Sequence, residues 1–386
     1  MFKKKINHLT FLIILIGFLF SCFTANKYLK KYDVIQNING KYQNTYFFQK
    51  EGGTPPFWQE AFKIKSEIKK KNFLSSGDRY EVKYLPSRLI YFYYSIIDKD
   101  IKTQHNETDQ AIFKTNNGKL GLVIIQNFFY FLCLVYLFFT LKKYSTNFSN
   151  IALLFIFFFL SFEPTLNQWN RVLYSESVFF CLQLLLLSML ISYNSTSSYK
   201  KVVLLGIILS LMYLQRTVSI YYCIIIFIYF YIFYKKKFFF NISIILIIYF
   251  FTHLFVGYSN LKRDGKFYLY PILAKEDLYG YFVPKILKYH NDAEFVKNFQ
   301  TRHDVINNFV KKKKLKSEND IEISERIDLS NKNFLKSLEL ISAHPFSSLK
   351  EYFNSSIHYF ILKPNELHFL IENNISYDGK FYLSKK

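Results

Sequence analysis

A chain of 386 residues that is 51% hydrophobic, 20% aromatic and carries a formal net charge of +22 is not a soluble basic domain. Its apolar residues come in long blocks such as SVFFCLQLLLLSMLIS and FFFNISIILIIYFFTHLF, and a bilayer core takes about 20 such residues per helical crossing. Much of the lysine stands directly beside those blocks, where it reports membrane topology, so a nucleic-acid partner is set aside.

The chain opens with MFKKKINHLTFLIILIGFLFSCFTANK, in which Lys3, Lys4 and Lys5 precede a first apolar stretch from Leu9 to Ala25. Leu19 to Cys22 is loosely similar to a lipoprotein cleavage box, but Phe20 fits that box poorly, and the segment reads as a retained first helix. The positive-inside rule sends this helix outward and makes 26–119 a large external first loop. Inside that loop LPSRLIYFYYSII is too short to cross comfortably and rich in tyrosine, which predicts a helix lying in the interface.

A second span, Leu120 to Leu141, ends on Lys142 and Lys143 and so ends inside. The third, IALLFIFFFLSF, is short and breaks at Glu163 and Pro164; the fourth starts at Val172 or Ser177 and runs to Tyr193, ahead of Lys200 and Lys201. The intervening EPTLNQWNRVLYSES then falls on the outer side.

The next run, LGIILSLMYLQRTVSIYYCIIIF, holds Gln215 and Arg216 in an otherwise continuous apolar stretch. A straight helix from Val202 to Tyr234 would be about 50 Å long at 1.5 Å per residue, and would put the flanking lysines on opposite sides. Two shorter crossings with a turn at LQRTV satisfy both length and charge, and place Arg216 at the outer mouth of a hairpin. The last span, Phe238 to Ser259, runs outward and delivers Asn260 to Lys386 to the outer side.

The expected fold is an all-α polytopic membrane protein of about seven spans. Residues 1–259 form the transmembrane domain and 260–386 an external, mainly helical region, in which NFLKSLELISAHPFSSLKEYFNSSIHYFIL looks like helices packed on the membrane face or on each other. The N-terminus is expected in the cytoplasm and the C-terminus outside, in a bacterial inner membrane.

Polar groups concentrate on the outer face, so the site is expected there. Asp33, Glu60, Asp78, Glu81, Glu163 and Glu176 are its carboxylates. Asp78 and Glu81, in GDRYEVKYLPSRL, stand shortly before the interfacial helix, where partial desolvation would raise a carboxylate's pKa toward that of a general base; the alternative is that they solvate a lysine-rich loop. Glu176 sits within a turn of the start of a span, where a charge is expensive unless paired, and Arg171 or Arg216 could pair it in a structural ion pair. Arg216 is either a helix-end anchor or the binder of an anionic partner, for which a lipid-linked phosphate suits a guanidinium.

Cys22, Cys133, Cys181 and Cys223 all fall in apolar blocks without a CxxC pair, and point neither to disulfides nor to zinc. The histidines show no HExxH or comparable spacing, and no phosphate-binding loop, dinucleotide fingerprint or nucleophile elbow is present.

Three features together resemble a polytopic glycosyltransferase of the GT-C type, similar to bacterial relatives of protein mannosyltransferases and aminoarabinose transferases. They are the large first loop with YLPSRLIYFYY, the Ser-Glu element in RVLYSESVFF, and the Gly-containing span LGIILSLMYLQRTVSIYY ending on Arg-Thr. The resemblance covers about 258 residues from the N-terminus. It implies transfer of a sugar from a polyprenyl-phosphate donor to a cell-envelope glycan, lipid or protein acceptor.

In that reading Asp78, Glu60 or Glu81 supplies the base, Arg216 and Arg171 bind donor phosphate, and Glu176 and Glu163 orient the site. Stabilisation of the departing phosphate comes from arginine or from a divalent metal such as Mg or Mn. Two readings from other classes stand beside it: a non-catalytic envelope-assembly or lipid-binding protein, and a lipid or glycan transporter. A transporter would want charges near the midplane and repeated halves, and the sequence shows neither.

Overall fold

The computed structural model describes residues 2–32, 35–38, 41–44, 85, 88–89, 92, 104–105, 111–112, 116–144, 149–162, 175–195, 198–216, 219–269, 278–287, 302–316 and 321–357. The chain divides into two units, Met1–Gly77 with Lys83–Phe255, and Asp78–Val82 with Val256–Lys386.

The first unit is built on α1 (Phe2–Tyr32), α2 (Asn116–Tyr144), α3 (Asn150–Phe162), α4 (Ser175–Ser195), α5 (Tyr199–Gln215) and α6 (Ile220–Phe233). It also takes in most of α7 (Phe238–Asp264). Their apolar runs contain no proline, so each helix satisfies its own backbone groups, as hydrocarbon demands. Four stretches are long and apolar enough to cross a membrane, His8–Asn26, Leu120–Tyr144, Ser177–Asn194 and Lys235–Lys262, while α3 and α6 are apolar but shorter. Phe129, Phe139, Phe155, Phe159, Phe239 and Phe251 are exposed on the outer faces, a surface suited to lipid and not to water. The protein is a helical membrane protein.

Side-chain contacts fix the helix directions. Phe18 packs on Phe131 and the Ser21 hydroxyl donates to Asn127 Oδ1, so α1 and α2 are antiparallel. Tyr130 donates to the Leu160 carbonyl at 2.8 Å and Phe138 meets Phe157 edge-on, so α2 and α3 are antiparallel too. Cys133 faces Cys181, and Tyr144 faces Ser192, which makes α2 and α4 parallel. Tyr229 donates to the Leu190 carbonyl and Tyr234 to Asn194 Oδ1, so α4 and α6 run together. Finally Gly206 packs against Ile248 and Tyr213 against His253, so α5 and α7 are parallel.

Successive helices therefore alternate in direction from α1 to α7. One end of the bundle gathers Lys142, Lys143, Lys200, Lys201, Lys235, Lys236 and Lys237. Lys201 donates to the Ser192 carbonyl at 2.7 Å there and lies over the Tyr144 ring. The opposite end holds the end of α3, the start of α4 and the α5–α6 turn. The predicted turn at LQRTV is present: α5 stops at Gln215 and α6 starts at Ile220. Helix α5 is the inner helix, with Val202, Leu205, Leu209, Met212 and Tyr213 fully buried.

Small residues let these backbones approach. A Cβ on Gly17 would stand 2.7 Å from Ser161 Cβ and 3.1 Å from its carbonyl oxygen. Gly17→Val is therefore expected to force α1 off α3 at a cost of about 1–3 kcal/mol, measured as a lower melting temperature in detergent, whereas Ile16→Val on the exposed side of α1 leaves it unchanged.

The first loop also carries two short antiparallel strand pairs that the sequence reading did not place. β1 (Ile35–Ile38) pairs with β2 (Lys41–Asn44), and β3 (Gln104–His105) with β4 (Ala111–Ile112). In the segment expected as an interfacial helix, Leu85, Arg88, Leu89 and Phe92 are helical, at the spacing of one helix face, with Leu89 and Phe92 exposed.

In the second unit Gly265, at φ +71°, ends α7 by adopting the left-handed conformation that favours glycine, its N–H reaching the Leu261 carbonyl at 2.9 Å. The other elements are a π-turn at Leu278–Phe282, α8 (Val283–Leu287), α9 (Arg302–Lys312), α10 (Ile323–Ala343) and α11 (Pro345–Ile357). Tyr279, Val283 and Ile286 are buried and form the hub on which α10 and α11 pack. Pro345 occupies the first position of α11, where its missing N–H costs nothing.

Candidate functional site

The α5 backbone delivers Arg216 to the bundle end opposite the lysines. Gln215 is the last helical residue and is buried; Arg216 is extended, at φ −152° and ψ 129°, with its N–H bonded to the Met212 carbonyl at 2.7 Å. The Ser219 N–H bonds to the Arg216 carbonyl at 3.1 Å, closing the turn into α6. The Arg216 side chain is half-buried. Its position is a helix terminus, where a guanidinium can reach the headgroup level without crossing the hydrocarbon centre.

Behind it, α5, α6 and α7 enclose a column of polar and aromatic groups. The Tyr213 ring stacks on His253 with centroids 4.0 Å apart at 22°, and Tyr249 meets Tyr213 edge-on at 5.6 Å. His253 Nδ1 lies 2.9 Å from the Tyr249 carbonyl oxygen, which fixes the proton on Nδ1 and leaves Nε2 as the acceptor. The Tyr249 hydroxyl faces Ser219 and Cys223. This column is missing from the expectations above, although a lone histidine within FFTHLF is the kind of polar residue in an apolar run that signals it.

The first turns of α4 join the same end. Ser177 is fully buried, Phe179 packs edge-on to Tyr222 at 6.0 Å, and Gln183 donates to the Tyr222 hydroxyl. Glu176 lies in the first turn of α4, where a negative charge complements the helix dipole; its side chain lies outside the described residues. Of the sequence-derived site residues, Arg216 and the turn bearing Glu176 are thus brought to one end of the bundle. Glu60, Asp78, Glu81, Glu163 and Arg171 lie outside the described residues, as does Asp33.

Among the described residues no three His, Cys, Asp or Glu side chains stand close enough to hold a metal ion. The side chains of the carboxylates expected at the site lie outside the described residues. In the described bundle helices, no Asp, Glu, Lys or Arg stands in the middle of an apolar stretch.

The polar column makes its own prediction. His253→Phe keeps the ring on Tyr213 and removes the bond to the Tyr249 carbonyl, which should cost about 0.5–1.5 kcal/mol of stability, read by thermal unfolding in detergent.

No family model, no curated protein and no solved structure matches this chain.

Proposed function

We propose that the protein is an integral-membrane glycosyltransferase that moves a sugar from a polyprenyl-phosphate donor to a cell-envelope glycan, lipid or protein acceptor. The supporting observation is the placement of Arg216: it caps the innermost helix at the bundle end that also bears the start of α4 with its Ser-Glu element. In this reading α1 to α7 all cross the membrane, the lysine-bearing end faces the cytoplasm and the Arg216 end faces outward. Inner-membrane residence is part of the same proposal.

The donor's prenyl chain lies in the bilayer and its phosphate at headgroup depth, where a guanidinium can hold two phosphate oxygens at once. An acceptor hydroxyl attacks the anomeric carbon, forming the new glycosidic bond as the bond to phosphate oxygen breaks. The hydroxyl proton passes to a carboxylate, Asp78, Glu60 or Glu81. The leaving group departs as polyprenyl phosphate, its charge balanced by Arg216 with Arg171 as a second cation. Glu176 and Glu163 orient the arginines.

The absence of mid-bundle charges among the described residues weighs against a transporter, which places its coupling groups near the midplane. Purified protein incubated with radiolabelled polyprenyl-phosphate sugars and membrane-extracted acceptor is expected to yield labelled product. Tight donor binding with no label transferred from any sugar of the panel would replace the enzyme by a lipid-binding protein.

A further inference from the structure

The second unit is built inside out on one side. Along α10 the inward residues are Arg326, Ser330, Asn333 and Ser337, at helical spacings of four, three and four, all buried, with Arg326 only 3% exposed. The outward residues of the same helix include Leu335, at 65% exposure, and Leu338. Helix α11 repeats the arrangement. Ser348 and Glu351 point inward, Glu351 lying 3.6 Å from Lys285, while Phe346, at 86% exposure, Leu349, Tyr352 and Phe353 point outward. An amphipathic helix in water buries its apolar stripe. These two helices bury polar groups and present six large apolar side chains instead.

We propose that the outer face of α10 and α11 rests in the interfacial layer of the lipid bilayer. The bilayer is already this unit's neighbour: the unit begins at Val256, inside the candidate span Lys235–Lys262, so its first turns belong to a membrane helix with Tyr258 and Leu261 exposed. The patch joins Phe, Tyr and Leu to the exposed lysines Lys332 and Lys350, with Asp328 and Glu339 as the exposed acids of α10. Aromatic rings and long basic side chains are the groups that settle at headgroup depth, the rings buried by about 5–10 Å and the ammonium groups reaching water. A break at His344–Pro345 separates α10 from α11, and each helix presents its own apolar stripe. The inference is independent of the glycosyltransferase reading, since it requires only that the bundle is in a membrane.

The test uses the full chain with Trp58 and Trp169 replaced by Phe, reconstituted in nanodiscs of mixed phosphatidylcholine and phosphatidylglycerol. A single reporter is introduced as Phe346→Trp and, independently, as Leu349→Trp, so that failure of one variant to fold leaves the other. Bromine-labelled acyl chains are expected to quench either reporter by at least about half relative to unlabelled lipid, with little quenching by aqueous iodide. Quenching by iodide and not by bromolipid would show a water-facing patch and overturn the proposal. Quenching by neither would show a protein cover, from a second copy or another subunit, and would overturn it equally.

Discussion

Under the proposed glycosyl transfer, Arg216→Ala is expected to reduce sugar transfer by about 100- to 1,000-fold with membrane insertion unchanged, because it would remove a charge opposed to the phosphate that gains charge as the sugar leaves. A contact equally strong before and during reaction would change KM alone; one that strengthens as the phosphate departs appears in kcat. Arg216→Lys keeps the charge but not the two-pronged geometry, and about tenfold residual loss is expected. The competing account makes Arg216 a helix-end anchor for the turn in which its N–H meets the Met212 carbonyl. That account predicts lower yield in the membrane for Arg216→Ala, recovery of both yield and activity by Arg216→Lys, and no separate effect on kcat. Steady-state kinetics together with membrane-fraction yield separates the two.

The second large effect concerns stability. Phe157 is fully buried on α3 with its ring edge-on to Phe138 at 5.4 Å, whereas Phe159, two residues on, is 63% exposed. In a lipid-embedded bundle the transfer part of a truncation nearly cancels, because hydrocarbon replaces hydrocarbon. The cavity part remains, and for a phenylalanine-sized void it is about 2 kcal/mol. Phe157→Ala is thus expected to unfold well below the parent in a detergent melt, and Phe159→Ala to unfold with it. Equal losses at the two positions would mean that α3 does not pack as described.

The helices were legible because apolar run length and flanking lysines are one-dimensional signals. Residues 202–234 show this best: length and the flanking lysines together argued for two crossings, and the turn stands at Gln215–Ile220. The strand pair at Ile35–Ile38 and Lys41–Asn44 had a signal that went unused, the Asn39-Gly40 dipeptide that joins the two strands. Other features had none. Nothing local to Ser21 or Asn127 announces that they meet across 106 residues of chain, and the stack of Tyr213 on His253 depends on α5 and α7 lying side by side. The inverted burial of α10 was hidden for a different reason. Its periodicity is visible, but periodicity gives two faces without saying which one turns inward. Of the candidate site, the arginine was legible as a charge between two apolar runs. The proposed base was not, because Glu60, Asp78 and Glu81 sit in a polar segment where acidic residues need no special explanation.

Sidedness is the claim on which the enzyme reading stands, and charge counting alone does not decide it, since Lys27, Lys30, Lys31 and Lys119 flank the opposite end of α1 and α2. In a chain whose four native cysteines are replaced by alanine, single cysteines at positions 216 and 236 can be labelled with a membrane-impermeant maleimide on intact cells. Labelling at 216 before permeabilisation, and at 236 only after it, is the predicted result. Labelling at 236 on intact cells with 216 protected until lysis would put Arg216 on the cytoplasmic side and contradict the account.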